Sequence, residues 1–284
     1  MKKWTFVIDV SKCHDCNNCF IACKDEFCDN DHPPYSLSQP KHGHRWMNIK
    51  RRERGQYPRV DVGYLPLPCM HCDEPSCMLA DMNGSVSKRE DGIVMIDPVK
   101  AKGQKQLVDS CPYGAIWWNE EQQVPQKCTF CAHLLDDGWQ VPRCVQACPT
   151  EALSAFLLED SDLEEKIKTE QLEVYHPEYR TRPRVFYKNL YRYTSSFVAG
   201  GVALQDVDEC AENATVILSG ESMEQELEIL TNNYGDFKFD SLSVRGESLT
   251  LSVEYPGYEK QVLPFTFEKS LNLGVLLLVP SQAG

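Results

Sequence analysis

The chain has 284 residues, 14 of them cysteine, and a formal net charge of -13 at pH 7. That length accommodates two or three domains, and the charge argues against nucleic acid and against an anionic membrane surface. No apolar run reaches the length of a membrane span, the longest near the end being Leu273-Gly-Val-Leu-Leu-Leu-Val279, and the cysteine usage points to assembly in a reducing compartment.

The start reads as a strand from Thr5 to Val10 that enters a cysteine loop. It does not read as a secretion signal, because Asp9 and Lys12 interrupt the apolar core too soon. Cys13-x2-Cys16-x2-Cys19-x3-Cys23 follows, with the ferredoxin spacing that wraps an iron–sulfur cubane. Three thiolates from one tight loop grip three irons, and the fourth cysteine of such a run serves a second cluster, so one run predicts a partner run. The insert from Asp29 to Leu67 is polar and contains prolines, with His42-Gly-His44-Arg45-Trp46 and Lys50-Arg-Arg-Glu-Arg54. A charged loop is most often a solvated face, but Trp and Arg also make this one a candidate docking surface.

Cys69-x2-Cys72-x4-Cys77 is a second trio, and its fourth position is Asp81. After a strand at Ile93–Ile96, the segment Ile96-Asp97-x-x-Lys100-Ala101 repeats Ile8-Asp9-x-x-Lys12-Cys13. Laid together, the four ligand positions of the first run fall on Ala101, Gln104, Leu107 and Cys111. Cys128-x2-Cys131-x12-Cys144-x3-Cys148-Pro149 is a further complete run. Its tail, Cys148-Pro-Thr-Glu-Ala-Leu, matches Cys111-Pro-Tyr-Gly-Ala-Ile. Brief helices are expected after the third position of each run.

There are therefore four ancestral runs with four vacant positions: Asp81, Ala101, Gln104 and Leu107. If runs exchange fourth ligands in pairs, only one pairing puts all four losses on a single cluster. Three complete sets then remain: Cys13, Cys16, Cys19 with Cys148; Cys128, Cys131, Cys144 with Cys23; and Cys69, Cys72, Cys77 with Cys111. Three [4Fe-4S] clusters are expected. A disulfide framework would need an oxidising compartment. Zinc favours paired C-x2-C knuckles, and Cys13, Cys16 and Cys19 are too crowded for them. Cys28 and Cys210 are left over as small apolar residues. His14, His42, His44, His71 and His133 are ligand types, but the cysteine sets are already complete.

Residues 1–153 hold all the ligands and are expected as a ferredoxin-like domain. Residues 154–196 read as a connecting strap, with an acidic helix from Leu157 to Glu173 and a basic aromatic segment from Tyr179 to Tyr193 suited to lie across another surface. From Phe197 to Gly284, short alternating stretches such as Thr215–Ser219, Phe237–Phe239 and Leu249–Val253 predict a β-sandwich or small barrel. Asn232-Asn-Tyr-Gly-Asp236 is a turn, with Gly235 at a positive-φ position. Thr231–Phe239 and Gly257-Tyr258 resemble transthyretin-like or Cna-B-type domains, which serve as spacers or protein-binding modules. The overall fold class expected is α+β, a tandem ferredoxin-like domain followed by a small all-β domain.

The four runs, with Asp97-Pro-x-Lys100 and Cys111-Pro-Tyr-Gly-Ala, resemble the iron–sulfur subunits of molybdopterin oxidoreductases, the dimethyl-sulfoxide-reductase group, over about residues 1–190. Three cubanes in place of four, the appended β-domain, Arg45–Gly55 and Val185–Leu190 are similar to the small subunits of pyrogallol–phloroglucinol transhydroxylases. The resemblance implies a large partner subunit holding bis-molybdopterin guanine dinucleotide, which exchanges hydroxyl groups between polyhydroxybenzenes in the cytoplasm. It also implies a non-catalytic electron-transfer role for this chain. An electron relay for a net reduction, such as a catechol dehydroxylase or a respiratory molybdenum reductase, is the alternative, followed by a zinc-bound structural module. No catalytic residue is visible in the chain: it has no phosphate-cradling glycine loop and no nucleophile spaced from a base.

Overall fold

The computed structural model describes residues 1–221, 223, 225–243 and 246–281. The chain divides into two compact units. The first comprises Met1–Arg51 and Tyr64–Leu190, the second Arg52–Gly63 and the chain from Tyr191 onward.

In chain order the first nine strands are β1 (Lys3–Asp9), β2 (Asn48–Gln56), β3 (Arg59–Leu67), β4 (Val86–Lys88), β5 (Val94–Ile96), β6 (Trp117–Asn119), β7 (Val124–Gln126), β8 (Leu153–Leu158) and β9 (Val185–Lys188). The first unit is centred on β1, which pairs antiparallel with β8 and parallel with β9. A strand paired on both edges and covered on both faces needs a continuous apolar run. Thr5, Phe6, Val7 and Ile8 are accordingly all buried. The helix Asp160–Glu170 carries Asp160 and Asp162 in its first turn, where the dipole favours them. It turns Leu163 into a small core with Val7, Leu172 and Phe186. The segment read as a connecting strap thus contributes two strands and a helix to this unit.

Four times in this unit a strand runs into a ligand loop and then into a short helix. β1, β3, β5 and β7 lead to the loops that begin at Cys13, Cys69, Ala101 and Cys128. The third positions, Cys19, Cys77, Leu107 and Cys144, are each the second residue of a helix: Asn18–Phe27, Ser76–Leu79, Gln106–Asp109 and Arg143–Gln146. The residue before the second position is left-handed in every run, with φ of 57° at Asp15, 43° at His71, 81° at Gly103 and 58° at Phe130. Three residues after the fourth position the backbone is left-handed again, at Gly114 and Glu151. The run with Ala101, Gln104 and Leu107 in place of cysteines shares the backbone of the others.

The second unit contains β10 (Ser196–Leu204), β11 (Glu209–Cys210), β12 (Thr215–Gly220), β13 (Leu227–Leu230), β14 (Asp236–Leu242), β15 (Glu247–Glu254), β16 (Gln261–Phe267) and β17 (Leu271–Leu278). β10 pairs antiparallel with β11 and β14 and parallel with β17, while β13-β12-β15-β16 form a second, antiparallel sheet. Alternate residues of both sheets, including Val198, Val202, Val216, Leu218, Phe237, Phe239, Leu251 and Val253, share one core. Of the two forms expected, this is the sandwich. Gly235 closes the predicted turn at φ +73°, where a Cβ would lie 2.3 Å from the Val202 carbonyl oxygen.

The charged insert buries some of its candidate anchors and presents others, Tyr57 among them at 91% exposed. Trp46 is 2% exposed, and Tyr187 of the basic aromatic segment is 0% exposed. The Arg54 guanidinium is buried within the second unit. There it pairs with Asp61 and with Asp240 at 2.9 Å, and donates to the carbonyls of Tyr191 and Ser195.

Candidate iron–sulfur centres

The ligand loops bring the twelve cysteines together in three groups of four. Cys23, the last of the first run, lines a small cavity with Cys128, Cys131 and Cys144, walled by Phe27, Trp46, Met47, Phe130 and Pro142. Cys111, the sole cysteine of the degenerate run, lines a second small cavity with Cys69, Cys72 and Cys77. Met70, Val94, Tyr113, Ile116 and Lys127 are among its walls. Cys13 and Cys19 lie within electrostatic reach of Cys16 and Cys148, in a group nearer the surface where Cys16 is exposed. Each group combines a trio with a fourth cysteine from another run. Cys28 and Cys210 stand outside all three, and Cys210 is exposed.

Burial dominates the chemistry of these thiols. It pushes Cys19, Cys23 and Cys72 up to about 12, Cys77 and Cys128 to about 11, and Cys131 and Cys144 well above the ordinary range. The metal ligand is the thiolate, so bound iron would have to favour ionisation against this burial. The Phe130 N–H donates to Cys128 Sγ at 3.4 Å, and the Gln39 side-chain amide donates to Cys23 Sγ at 3.6 Å. In the second loop His71 accepts the Val94 N–H at Nδ1, 3.1 Å away, which places its own proton on Nε2. That buried Nε2 has no partner among the described residues. Soft sulfur ligands in fours, enclosed by apolar walls and approached by N–H donors, fit a [4Fe-4S] cluster.

The vacated positions also meet one another. Asp81 accepts from the Ser85 hydroxyl at 2.7 Å and from the amides of Val86 and Asn83. Gln104 donates to the same Ser85 oxygen and accepts from the Met82 amide. Ala101 and Leu107, both fully buried, fill the remaining space with Cys77, Val86, Val94, Ile96 and Ile116. Burial raises the Asp81 carboxyl, but the Val86 amide, the Ser85 hydroxyl, the Asn83 amide and Gln104 outweigh it and hold it at about 2.

Two features escape the sequence. Lys127 is 3% exposed and forms part of the second cavity's wall. A lysine beside a cysteine reads as a solvated charge, and its position next to Cys128 is the only hint. The second is a half-buried cluster. His133 lies 2.9 Å from Glu26 Oε1, His32 stacks on His133 with centroids 4.0 Å apart, and Arg143 holds the other carboxylate oxygen. Of the other histidines considered, His44 is buried against the Trp118 carbonyl oxygen at 2.9 Å. No helix among the described residues is long and apolar enough to cross a membrane.

Residues 60–156 match the family model of the 4Fe-4S dicluster domain. The pyrogallol hydroxytransferase small subunit of Pelobacter acidigallici is 46% identical over 281 residues, covering 98% of this chain and 100% of that one. The arsenate respiratory reductase iron–sulfur subunit of Shewanella sp. (strain ANA-3) is 29% identical over 64% of this chain and 94% of its own length. A tetrathionate reductase subunit of Salmonella typhimurium is 32% identical over 66% and 73%. A match from end to end at 46% identity, on a scaffold with four ligand loops, means that the chain belongs to the family of the pyrogallol hydroxytransferase small subunit, electron-transfer iron–sulfur subunits of molybdoenzymes.

Proposed function

We propose that the chain carries three [4Fe-4S] clusters, held by Cys13, Cys16, Cys19 and Cys148, by Cys23, Cys128, Cys131 and Cys144, and by Cys69, Cys72, Cys77 and Cys111. The single observation that supports this most is the crossed grouping of the cysteines, with two groups lining enclosed cavities. Bound clusters would supply one-electron relay, and the chain's part is to hold them in apolar walls and to donate N–H groups to their sulfurs.

The partner in this reading is a large catalytic subunit with bis-molybdopterin guanine dinucleotide, working in the cytoplasm on polyhydroxybenzenes such as pyrogallol. Near-complete coverage by the Pelobacter acidigallici subunit supports that choice. Similarity to the arsenate and tetrathionate reductase subunits supports relay for a net reduction as the second reading. The sandwich, as a transthyretin-like or Cna-B-type domain, serves as a spacer or protein-binding module. Pyrogallol turnover by the native complex without an external electron donor is the test. Turnover strictly dependent on a donor would favour the reductase reading, and a colourless zinc protein would refute both.

A further inference from the structure

We propose that Lys127 sets the reduction potential of the centre formed by Cys69, Cys72, Cys77 and Cys111, making it the first of the two enclosed centres to accept an electron. This rests on the cluster assignment above. The Lys127 ammonium donates to two backbone carbonyls, those of Val94 and of Cys128, the latter at 3.1 Å. Carbonyls orient a charge but do not neutralise it. A buried charge ordinarily has a partner of opposite sign, and its neighbours follow that rule. Lys88 pairs with Asp73, and Arg184 pairs with Asp73 and Asp160. Lys127 has no carboxylate partner among the described residues.

The anion available to Lys127 is the sulfur-lined cavity beside it. Its charge bears on Cys77 and Cys111 in that group and on Cys128 in the neighbouring one. It forms part of the wall of the Cys69 cavity and not of the Cys23 cavity. A four-thiolate cluster is anionic, and reduction adds one more negative charge. A fixed cation in low dielectric therefore favours the reduced state over the oxidised one. Net charge close to the sulfurs is among the established levers on such potentials. A purely structural clamp between β5 and the Cys128 loop would need the hydrogen bonds but not the charge.

The test is a redox titration followed by electron paramagnetic resonance on the full complex, with Lys127→Met, Lys127→Gln and Lys127→Arg. In the Met and Gln variants the reduced-to-oxidised ratio of this centre at fixed potential should fall at least tenfold, a midpoint lowered by about 59 mV for one electron. Arg should retain most of the wild-type midpoint, and the Cys13 centre should not move in any variant. An unchanged midpoint in the Met and Gln variants with full iron would overturn the proposal, as would an equal shift of all three centres. If the variants fail to load iron, the wild-type complex decides, with signals assigned through Cys111→Ser. A Cys69 centre titrating below the Cys23 centre would overturn the proposal. Wild-type complex without iron would instead refute the cluster assignment itself.

Discussion

Cys111 is the most discriminating position in the chain. Its own run carries Ala101, Gln104 and Leu107 at the other three ligand positions, so its thiol has no local trio to serve. It lies instead in the cavity of Cys69, Cys72 and Cys77, where burial raises its pKa and the amides of Ala115 and Tyr113 pull the other way. Cys111→Ala removes one of four ligands and leaves the other two centres untouched. The expected iron content is about twelve per chain in the wild type and about eight in the variant, or about eleven if a three-iron cluster persists on the trio. Cys69 and Cys77 are already buried without metal, so the unit should keep its fold and its other two clusters. Iron and acid-labile sulfide on the purified complex, with the resonance spectrum, decide the matter. Loss of the Cys13 centre with retention of the Cys69 centre would refute the crossed pairing, and unchanged iron would show that Cys111 is no ligand.

Independently of any variant, native complex should contain about twelve irons per copy of this chain after subtraction of clusters on the partner, and about sixteen would mean that the degenerate run still binds metal. Arg54→Met leaves Asp61 and Asp240 short of their buried partner and should destabilise the second unit by about 3–5 kcal/mol, read from denaturant unfolding. A cost below about 1 kcal/mol would mean that Arg192 and Lys238, which also reach these carboxylates, suffice. For Asp61 burial raises the carboxyl, but the hydrogen bond from Arg54 and the charge of Lys238 prevail, holding it at about 2 against an ordinary 3.8. Its contribution is therefore complete above about pH 4 and is lost as pH falls toward 2, so Asp61→Asn should flatten the acid limb of the stability curve. A fragment from Tyr191 onward should unfold at lower denaturant than one that also carries residues 52–63, and equal midpoints would show that Arg54 adds nothing.

Ligand spacing is a local property, which is why candidate cysteine sets could be written down from the chain. C-x2-C-x2-C fixes a loop, and counting vacancies leaves one way to cross the runs. Burial is a global property, and there the sequence misleads. Trp46 and Arg54 look like surface anchors because the insert around them is polar, yet Trp46 lines the Cys23 cavity and Arg54 is enclosed by Asp61 and Asp240. The strand β9 was hidden for a similar reason. Val185–Lys188 pairs in parallel with β1, far away in the chain, and no periodicity in a four-residue segment announces such a partner. Lys127 belongs with these, since nothing but the fold shows that its ammonium has been closed off from water.

The degenerate run shows how an iron–sulfur scaffold can hold together without a cysteine trio. A bound cluster would tie a loop, a helix and a distant fourth ligand together, so its loss takes a cross-link out of the unit. Here the loop keeps its left-handed residue at Gly103 and its helix at Gln106–Asp109, and side chains join the same four positions. Gln104 and Asp81 meet on the Ser85 hydroxyl, a hydrogen-bonded link across the two segments that a shared cluster would have joined. Leu107 and Ala101 occupy the volume as a dry core, which needs no charge compensation. A carboxylate is held at position 81 by the Ser85 hydroxyl, the Val86 and Asn83 amides and Gln104. The result retains the geometry that delivers Cys111 to the neighbouring trio. In the proposed cluster set, that placement gives the degenerate run a use although it has no trio of its own.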